Sequence, residues 1–592
     1  MRIGAVRPLL HALWLSQVIG CASLRPPADL RGAGIRLPQR SAVIFFVDGV
    51  NHEVLDDLLA RGELPSVHKW FVQRGVVVDQ AVSSLPPITY AISTTMLTGM
   101  FPGHHGILGN RWFDRGTGAL HDYGSARTYR AVNDDFTAPT IYEVLADQLS
   151  VNVQNHTRRG ADVTMDHVVS SGIKWLTHRF SAVDHNVGRC MGDLRRAARR
   201  AGRWPTVVMT YFPGVDEVGH RDGPRSERYR EAVRVADRAI GDVIEAYVAA
   251  GLADSTYFVL LSDHGMVENT ALRSMNLVDW LRRHEGWRVL DTRRKPDRRR
   301  SPHPGMDRYD AVVINSAWRR AAIHLPGPCG WSCRPEPDEL RRVASASLDG
   351  PDAGAGGLIG LDAVGLVCFP LREGVVRVLT KTGGATVERR RSPAGTQYRL
   401  LVDAEATRTA IDARTEPFGY LADPNLAAFI EAGWHGSREW LEATAATRYP
   451  DFVPQVVEMF DSPRAGDLVV FAAEGWSLAE GGRGGHGSCL DEDMIVPMYF
   501  TGPDLPRGGR VATARLADVM PTIIELLGFG DRLSSLPHLD GESIAAQLRS
   551  AVAPPDNMIL SEVRGQAPHL FGCPTFSEVE GTNSVLIRHF RG

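Results

Sequence analysis

The sequence lacks several features that define common protein classes. It has seven cysteines in 592 residues, and none of them forms the Cys-x-x-Cys pairs of structural zinc sites. Its 66 basic and 69 acidic residues leave a net charge of -3, which argues against a nucleic-acid polymer as partner. No internal stretch approaches the ~20 apolar residues that span a bilayer. Any anionic ligand must therefore be bound by a local site.

The N-terminus has the pattern of a targeting segment. Arg2 and Arg7 form a short basic region, and the mainly apolar run 9–19 leads into Val18-Ile19-Gly20-Cys21. This tetrapeptide is similar to the lipobox of bacterial lipoproteins. The resemblance implies a signal peptide over 1–21, a lipid anchor on Cys21, a tether over 22–40 and a periplasmic or cell-surface location. The alternatives are that this segment is an ordinary cleaved signal peptide, or that the chain has no signal peptide.

The other cysteines are compatible with an oxidising compartment. Six remain when Cys21 is set aside, an even number that allows pairing. Cys329 and Cys333 are close enough in the chain to close a small loop.

Short apolar runs alternate with helical periodicity, which predicts an α/β fold. The four clearest runs have the length and composition of buried strands. They are 42–47, 206–211, 257–261 and 468–472. After the second run, apolar residues from Tyr229 to Tyr247 recur at steps of three and four, which indicates a helix and a βαβ unit.

Metal-binding side chains follow the first three predicted strands. Asp48 comes directly after the first, Asp216 and His220 lie in a loop after the second, and Asp263-His264 comes after the third. Ligands collect at the carboxyl ends of parallel strands, so these five side chains are expected to meet. One Asp after a strand is more often a cap or turn residue, but five such groups at one edge would repel each other without cations.

His486 is a sixth candidate ligand, in the Gly-rich loop GGRGGHGSC after the fourth run. Glycines on both sides allow the backbone to turn sharply and approach a metal or phosphate. Alone, this histidine would be interpreted as an exposed loop residue. Its assignment as a metal ligand depends on the other five candidate ligands.

Ordered motifs from about residue 41 to 528 resemble the alkaline phosphatase superfamily, and within it the type I phosphodiesterase/nucleotide pyrophosphatase family. The first motif is the strand ending in VDG at 47–49, and the others include DEVGH, SDHGM and GGHG. The segment LPPITYAISTTMLTGMFPGHHGILGN is similar to the family's nucleophile segment. Its matching positions are Thr89, Thr98, Gly99, Pro102, His105, Gly106, Ile107 and Asn110.

The resemblance implies an alkaline-phosphatase-like fold, with a mostly parallel central sheet flanked by helices, and two zinc ions. The ligands of one ion would be Asp216, His220 and His486, and those of the other Asp48, Asp263, His264 and Thr89. Thr89 would be the nucleophile, giving a phosphothreonine intermediate. Asn110 and the backbone N–H of Tyr90 would donate hydrogen bonds to the phosphate oxygens.

The sequence predicts the substrate class less precisely than the metal ligands and the nucleophile. Tyr90 follows the nucleophile, as an aromatic residue does in nucleotide pyrophosphatases, and is expected to stack on a base or aryl leaving group. Those enzymes continue with Pro-Asn-His where this chain has Ala-Ile-Ser at 91–93. Lys174 and Trp175 lie where family members place substrate-contacting side chains.

The resemblance also predicts how the chain is divided. A catalytic domain is expected over 41–528, with an inserted α+β cap at about 268–460 and a C-terminal extension over 529–592. Within the cap, 375–380 and 385–389 flank a Lys-Thr-Gly-Gly turn and predict a β-hairpin.

The predicted function is a zinc-dependent phosphoester hydrolase, preferably a phosphodiesterase, acting on a small molecule. The alternatives are a phosphomonoesterase or phosphonate hydrolase of the same superfamily, and a non-catalytic binding lipoprotein. A sulfatase is disfavoured because the segment 89–91 has no Cys-x-Pro-x-Arg setting. The oligomeric state is not predicted.

Overall fold

The computed structural model describes residues 34–125, 127–166, 173–174, 177–292, 305–315, 317–345, 357–393, 395–403 and 416–553. The predicted signal peptide with Cys21, the tether up to residue 33, Trp175 and residues 554–592 of the predicted extension lie outside these ranges. Within them, no helix is both long and apolar enough to cross a membrane.

A nine-stranded, mostly parallel sheet forms the centre of the molecule. Five parallel strands form one side, in the spatial order Thr256–Leu261, Ser41–Val47, Val207–Phe212, Ser150–Val153 and Val163–Met165. On the other side of Thr256–Leu261 lies Met498–Thr501, which pairs with it in antiparallel orientation. Val76–Val82 comes next and pairs antiparallel with both Met498–Thr501 and Ile495–Val496. Gly509–Arg515 pairs with Val76–Val82 in parallel orientation.

The first three predicted strands are confirmed as the adjacent central strands, each within one residue of its expected ends. Both faces of these strands are buried, which explains their continuous apolar runs. Val43 and Phe45 face one hydrophobic core, and Ile44 and Phe46 face the other.

Helices cover both faces of this sheet. One face packs against the helices His52–Ala60, Pro65–Val67, Ser181–Val187, Met191–Ala201 and Glu227–Ala249. The other packs against Thr89–Thr98, Ile141–Val144, Val519–Leu526 and Ala545–Ser550. The helix predicted from the period of Tyr229 to Tyr247 is confirmed, with those apolar residues buried.

A second nine-stranded sheet lies beside the first. Its strands, in spatial order, are Val289–Asp291, Ala311–Ile314, Arg320–His324, Leu468–Ala472, Val364–Arg372, Val375–Leu379, Gly384–Ser392, Gly395–Val402 and His435–Gly436. The helices Leu277–His284, Pro337–Ala344, Pro424–Ala432, Ser437–Thr444 and Phe452–Met459 accompany it.

The fourth predicted strand, Leu468–Ala472, belongs to this second sheet. It pairs with Arg320–His324 and Val364–Arg372, so it does not extend the central sheet. The apolar run was sufficient to predict a buried strand but not its neighbours, because those depend on chain segments about a hundred residues or more away. The predicted hairpin is confirmed, with Val376 opposite Val387.

Further short strands and α-helices lie between these elements. They are the strand pairs Arg111–Asp114 with Ala119–Asp122 and Val267–Glu268 with Gly484–Gly485, and the helices Pro102–His105, Gly214–Asp222 and Asp491–Met494. Cys329 and Cys333 form the disulfide that their spacing allowed. Cys190, Cys368 and Cys489 are buried free thiols.

Candidate metal centre

The three central strands end level with one another, and each is followed by a carboxylate. Val47 lies opposite Phe212 and Phe46 opposite Leu261 in the sheet register. Asp48 directly follows the first strand, Asp263 follows the third, and Asp216 lies in the first turn of the helix Gly214–Asp222 after the second. The parallel register therefore brings the three carboxylates to one edge, as the sequence predicted.

The six predicted ligands converge in two overlapping groups. Candidate ligand atoms of Asp48, Asp263 and His264 lie within 4.8 Å of one another, and so do those of Asp216, His264 and His486. His220 Nε2 lies 3.3 Å from Asp216 Oδ1. His264 belongs to both groups. Its ring also stacks on that of His486 at a centroid distance of 3.4 Å.

Thr89 lies at the border of the same cluster. Its Oγ1 is 3.4 Å from His264 Nε2, and the residue is 6% exposed. Thr89 is the first residue of the helix Thr89–Thr98, whose first helical hydrogen bond runs from Ile92 to Ile88. The N–H groups of this first turn lack helical acceptors, so they favour negative charge on or near the threonine hydroxyl.

Each of the three carboxylates in this cluster has one buried oxygen without a hydrogen-bond partner, namely Asp48 Oδ1, Asp216 Oδ1 and Asp263 Oδ2. Burial raises the pKa of Asp48 and of Asp216 well above the ordinary value, and neighbouring carboxylates raise it further. Unpaired buried anions are costly unless they are protonated or bind a cation. The donor set of three carboxylates and three imidazoles fits zinc.

The three histidines are held in one tautomer. Nδ1 of His220, His264 and His486 lies 2.9 Å from the backbone carbonyl of Gly484, Gly265 and Pro87, respectively. A donating Nδ1–H leaves the Nε2 lone pair for a metal. Burial lowers the pKa of His220 to about 4 and that of His486 well below its ordinary value, so the neutral form that binds metal is favoured.

Hydrogen bonds around the carboxylates orient them. The hydroxyl of Tyr211 donates to Asp48 Oδ2, and the backbone N–H groups of Gly49 and His264 donate to Asp263 Oδ1 at 3.1 and 3.0 Å. The remaining oxygen of each carboxylate is therefore left for the cluster. Tyr211 ends a predicted strand, but its apolar neighbours gave no signal that its hydroxyl has this partner.

A buried arginine that the sequence analysis missed fixes the loop of His486. Arg319 is fully buried, forms ion pairs with Asp493 and Glu492, and donates its backbone N–H to the His486 carbonyl at 3.2 Å. Trp318, the residue before it, lies against the His220 ring at a centroid distance of 4.6 Å. Arg319 and Asp493 are charged residues, which are usually exposed, so no sequence pattern indicated that tertiary packing buries both.

Asn110, one of the predicted substrate contacts, forms a hydrogen bond with Tyr90, the residue after Thr89. Its Oδ1 accepts the N–H of Tyr90 at 3.4 Å, so the two groups predicted to donate together to phosphate bind each other here. The Tyr90 ring packs against Tyr123 and His156, and its hydroxyl donates to the Tyr123 carbonyl at 3.1 Å. The substrate roles of Asn110 and Tyr90 stay predictions.

Lys174 donates its Nζ–H to the carbonyl of Ala182 at 2.9 Å. Its predicted substrate role, like that of Trp175 outside the described residues, stays a prediction.

The sequence profile of the type I phosphodiesterase/nucleotide pyrophosphatase family matches residues 42–327, which carry five of the six candidate ligands and Thr89. Over this region, just under half of its length, the chain is similar to that family. The matched region ends before His486, so the structure is what joins that histidine to the cluster.

Two curated relatives match about two fifths of the chain. An uncharacterized pyrophosphatase/phosphodiesterase of Schizosaccharomyces pombe is 28% identical over 256 residues, covering 42% of this chain and 48% of the relative. The bis(5'-adenosyl)-triphosphatase of Mus musculus is 24% identical over 229 residues, covering 37% of this chain and 47% of the relative. The chain thus spans about half the length of these relatives.

The fold agrees with a solved family structure. Murine ectonucleotide pyrophosphatase/phosphodiesterase 5 superposes with a TM-score of 0.52 and 15% identity, covering 87% of this chain and all of that one. At this identity the match concerns the fold, and it confirms the predicted alkaline-phosphatase-like α/β architecture.

Proposed function

We propose that the protein is a phosphoric ester hydrolase, and more narrowly a phosphodiesterase that binds two zinc ions and uses Thr89 as its nucleophile. The observation that carries this proposal is the position of Thr89 Oγ1, 3.4 Å from His264 Nε2 at the start of a ten-residue helix. The same His264 nitrogen lies 3.4 Å from Asp48 Oδ1 and 3.2 Å from Asp263 Oδ2, two carboxylate oxygens that have no hydrogen-bond partner.

One ion would be held by Asp216, His220 and His486, and the other by Asp48, Asp263 and His264 with the Thr89 hydroxyl. Bound there, zinc would neutralise the carboxylates and, as a Lewis acid, favour the ionised threonine hydroxyl and stabilise the leaving oxygen. His264 borders both groups of ligands, so its orientation by the Gly265 carbonyl matters to both.

The chemistry on this chain would then take two steps. Thr89 Oγ1 attacks phosphorus, a phosphorus–oxygen bond forms, and the bond to the leaving group breaks with its electron pair on the departing oxygen. Water next attacks the phosphothreonine, and Oγ1 leaves and regains a proton. The N–H groups at the helix start and the Asn110 amide stabilise the negative charge that shifts onto the phosphate oxygens.

The substrate would be a small phosphoester, with Tyr90 stacking on a base or aryl leaving group and with Lys174 and Trp175 as further substrate contacts. A phosphomonoesterase or phosphonate hydrolase would use the same centre, and a binding lipoprotein would use the fold without turnover. We place the protein in the periplasm or at the cell surface of a bacterium, anchored by a lipid on Cys21.

The test of the nucleophile compares Thr89→Ala with Thr89→Ser. The alanine variant is expected to lose at least about a thousandfold in kcat and keep its zinc, because six ligands remain, whereas serine restores part of the activity because it restores the hydroxyl. Zinc is counted in the same samples. Full activity of the alanine variant, or of protein without zinc, would overturn the proposal.

The test of the substrate class compares an aryl phosphodiester, the matching monoester and the matching sulfate. A diester preference is expected. A monoester preference above about tenfold, ~1.4 kcal/mol in transition-state stabilisation, would replace the diesterase by a phosphomonoesterase.

A further inference from the structure

A second cluster of metal-binding side chains lies apart from the centre above, between two segments distant in sequence. His104 belongs to the short helix Pro102–His105 that follows the nucleophile helix, and His538 and Asp540 belong to the C-terminal segment. Candidate ligand atoms of these three residues lie within 4.8 Å of one another. No residue of this cluster is among the ligands of the first centre.

The three facing atoms form a compact triangle. His104 Nδ1 lies 2.9 Å from Asp540 Oδ1, His538 Nε2 lies 2.8 Å from the same oxygen, and the two nitrogens are 3.2 Å apart. Ligands at zinc distances of ~2.0–2.1 Å with tetrahedral angles are ~3.3–3.5 Å apart. The triangle therefore needs to open by only a few tenths of an ångström, and His538, whose side chain is 50% exposed, is free of the packing that would prevent this.

The other nitrogen of His104 already has the partner that a metal-bound histidine requires. Its Nε2 lies 2.9 Å from Glu458 Oε2, so a donated proton fixes the ring with Nδ1 toward the triangle. Arg389 and the Tyr398 hydroxyl also bind Glu458. The Arg389 guanidinium is thus the cation on the Nε2 side of the His104 ring. A bound metal ion would therefore lie on the Nδ1 side.

The charges around His104 favour a cation at this place. His104 Nε2 lies 2.9 Å from Glu458 Oε2 and 3.3 Å from Asp461 Oδ2, and its Nδ1 lies 2.8 Å from Asp540 Oδ2, so three carboxylates surround the ring. A metal ion bound at Nδ1 would displace one proton and keep the positive charge between the same carboxylates.

We propose that His104 Nδ1, His538 Nε2 and Asp540 form a further binding site for a divalent transition cation of the zinc type. Two imidazoles and one carboxylate are a borderline-soft set that selects zinc over magnesium or calcium, and the fourth position opens to solvent beside His538.

Such an ion would fasten the C-terminal segment to the loop behind the nucleophile helix. Asp540 already accepts the N–H of Phe101 at 2.6 Å, and the N–H groups of Asp540 and Gly541 donate to the Gly99 carbonyl at 3.0 Å. The site is therefore structural and exchangeable, because one of its three ligands is half exposed.

The test counts zinc in the full-length protein and in His538→Ala, after chelation, re-equilibration with Zn²⁺ and removal of the excess. The wild type is expected to bind one more zinc per chain than the variant. His284→Ala, which removes a histidine outside both clusters, should match the wild type. Equal zinc content in wild type and His538→Ala would overturn the proposal.

A second comparison, made in a His486→Ala background, distinguishes zinc bound at this site from zinc bound at the first centre. There the total falls, but the difference of one zinc that depends on His538 is expected to persist, whether or not the first centre binds two ions. A difference that disappears in this background would assign the lost zinc to the first centre and contradict the site. Circular dichroism of each variant confirms that the fold is retained.

Discussion

Gly49 shows how closely the ligand-bearing loops approach each other. It follows Asp48 in a left-handed conformation with φ of 67°, and a Cβ there would lie 2.8 Å from Asp216 Oδ1. A side chain at this position would therefore move a ligand, in addition to straining the backbone.

Gly49→Ala is expected to weaken zinc binding at least about tenfold and to lower kcat, because it displaces the Asp216 carboxylate. The matched control is Gly62→Ala: Gly62 has φ of 71°, and a Cβ there would meet no atom within 4 Å. Both variants carry a backbone strain of about 1 kcal/mol. Zinc affinity and kcat should differ between them, and equal values would show that the contact with Asp216 is unimportant.

At the scale of elements, loops from both sheets are tied together by buried ion pairs. Arg319 precedes a strand of the second sheet, and Asp493 lies in the helix that leads into the central sheet. Burial raises the pKa of Asp493 to about 6, although Arg319 opposes this shift. The pair holds the His486 loop against both sheets.

Arg319→Met is expected to lower the free energy of unfolding by ~3–5 kcal/mol, since it leaves Asp493 buried without its cation. Urea unfolding measures the change. Arg61→Met removes an exposed arginine from its ion pair with Asp57 and should leave the midpoint unchanged. Two variants of similar stability would mean that Asp493 finds another partner.

The helix that carries Asp216 and His220 has a pH-sensitive contact at its start. Asp184 is fully buried, and its Oδ1 accepts the Gly214 N–H at 3.0 Å. Burial raises the pKa of Asp184 to about 8. The folded state therefore holds a proton that the unfolded state releases near pH 3.8, so this contribution to stability is complete below pH 3.8 and lost as the pH rises toward 8.

Asp184→Asn keeps the acceptor for Gly214 and removes the titration. Between pH 4.5 and pH 8.5 the wild type should lose more stability than the variant, by on the order of 2 kcal/mol. Urea unfolding at several pH values gives the difference. Parallel pH profiles would show that Asp184 is ionised throughout.

At the scale of the whole molecule, the C-terminal segment up to residue 553 packs against the central sheet. Ile544, Ala545 and Leu548 are buried in the hydrophobic cluster beneath the central sheet, beside Ile524. The sequence carries no clear signal for this packing, because the helix Ala545–Ser550 is only six residues long and its apolar positions are few.

Leu548→Ala is expected to cost ~2–5 kcal/mol of unfolding free energy, because it opens a cavity in a closed core. Leu272→Ala makes the same change at a side chain that is 92% exposed and should stay within about 0.5 kcal/mol of the wild type. The denaturant midpoints of the two variants measure these changes, provided that the slope of the unfolding free energy against denaturant is unchanged. A neutral Leu548 variant would mean that this helix does not contribute to the core.

The sequence by itself determined the three central strands and the six candidate ligands. Buried parallel strands are continuous apolar runs, and ligands at their carboxyl ends follow in the same short segments, so both are local in the chain. Tertiary structure alone placed Leu468–Ala472 in a second sheet, buried Arg319 beside His486, and brought His538 and Asp540 to His104. These features join residues a hundred or more positions apart, and their energies depend on burial, which no local pattern records.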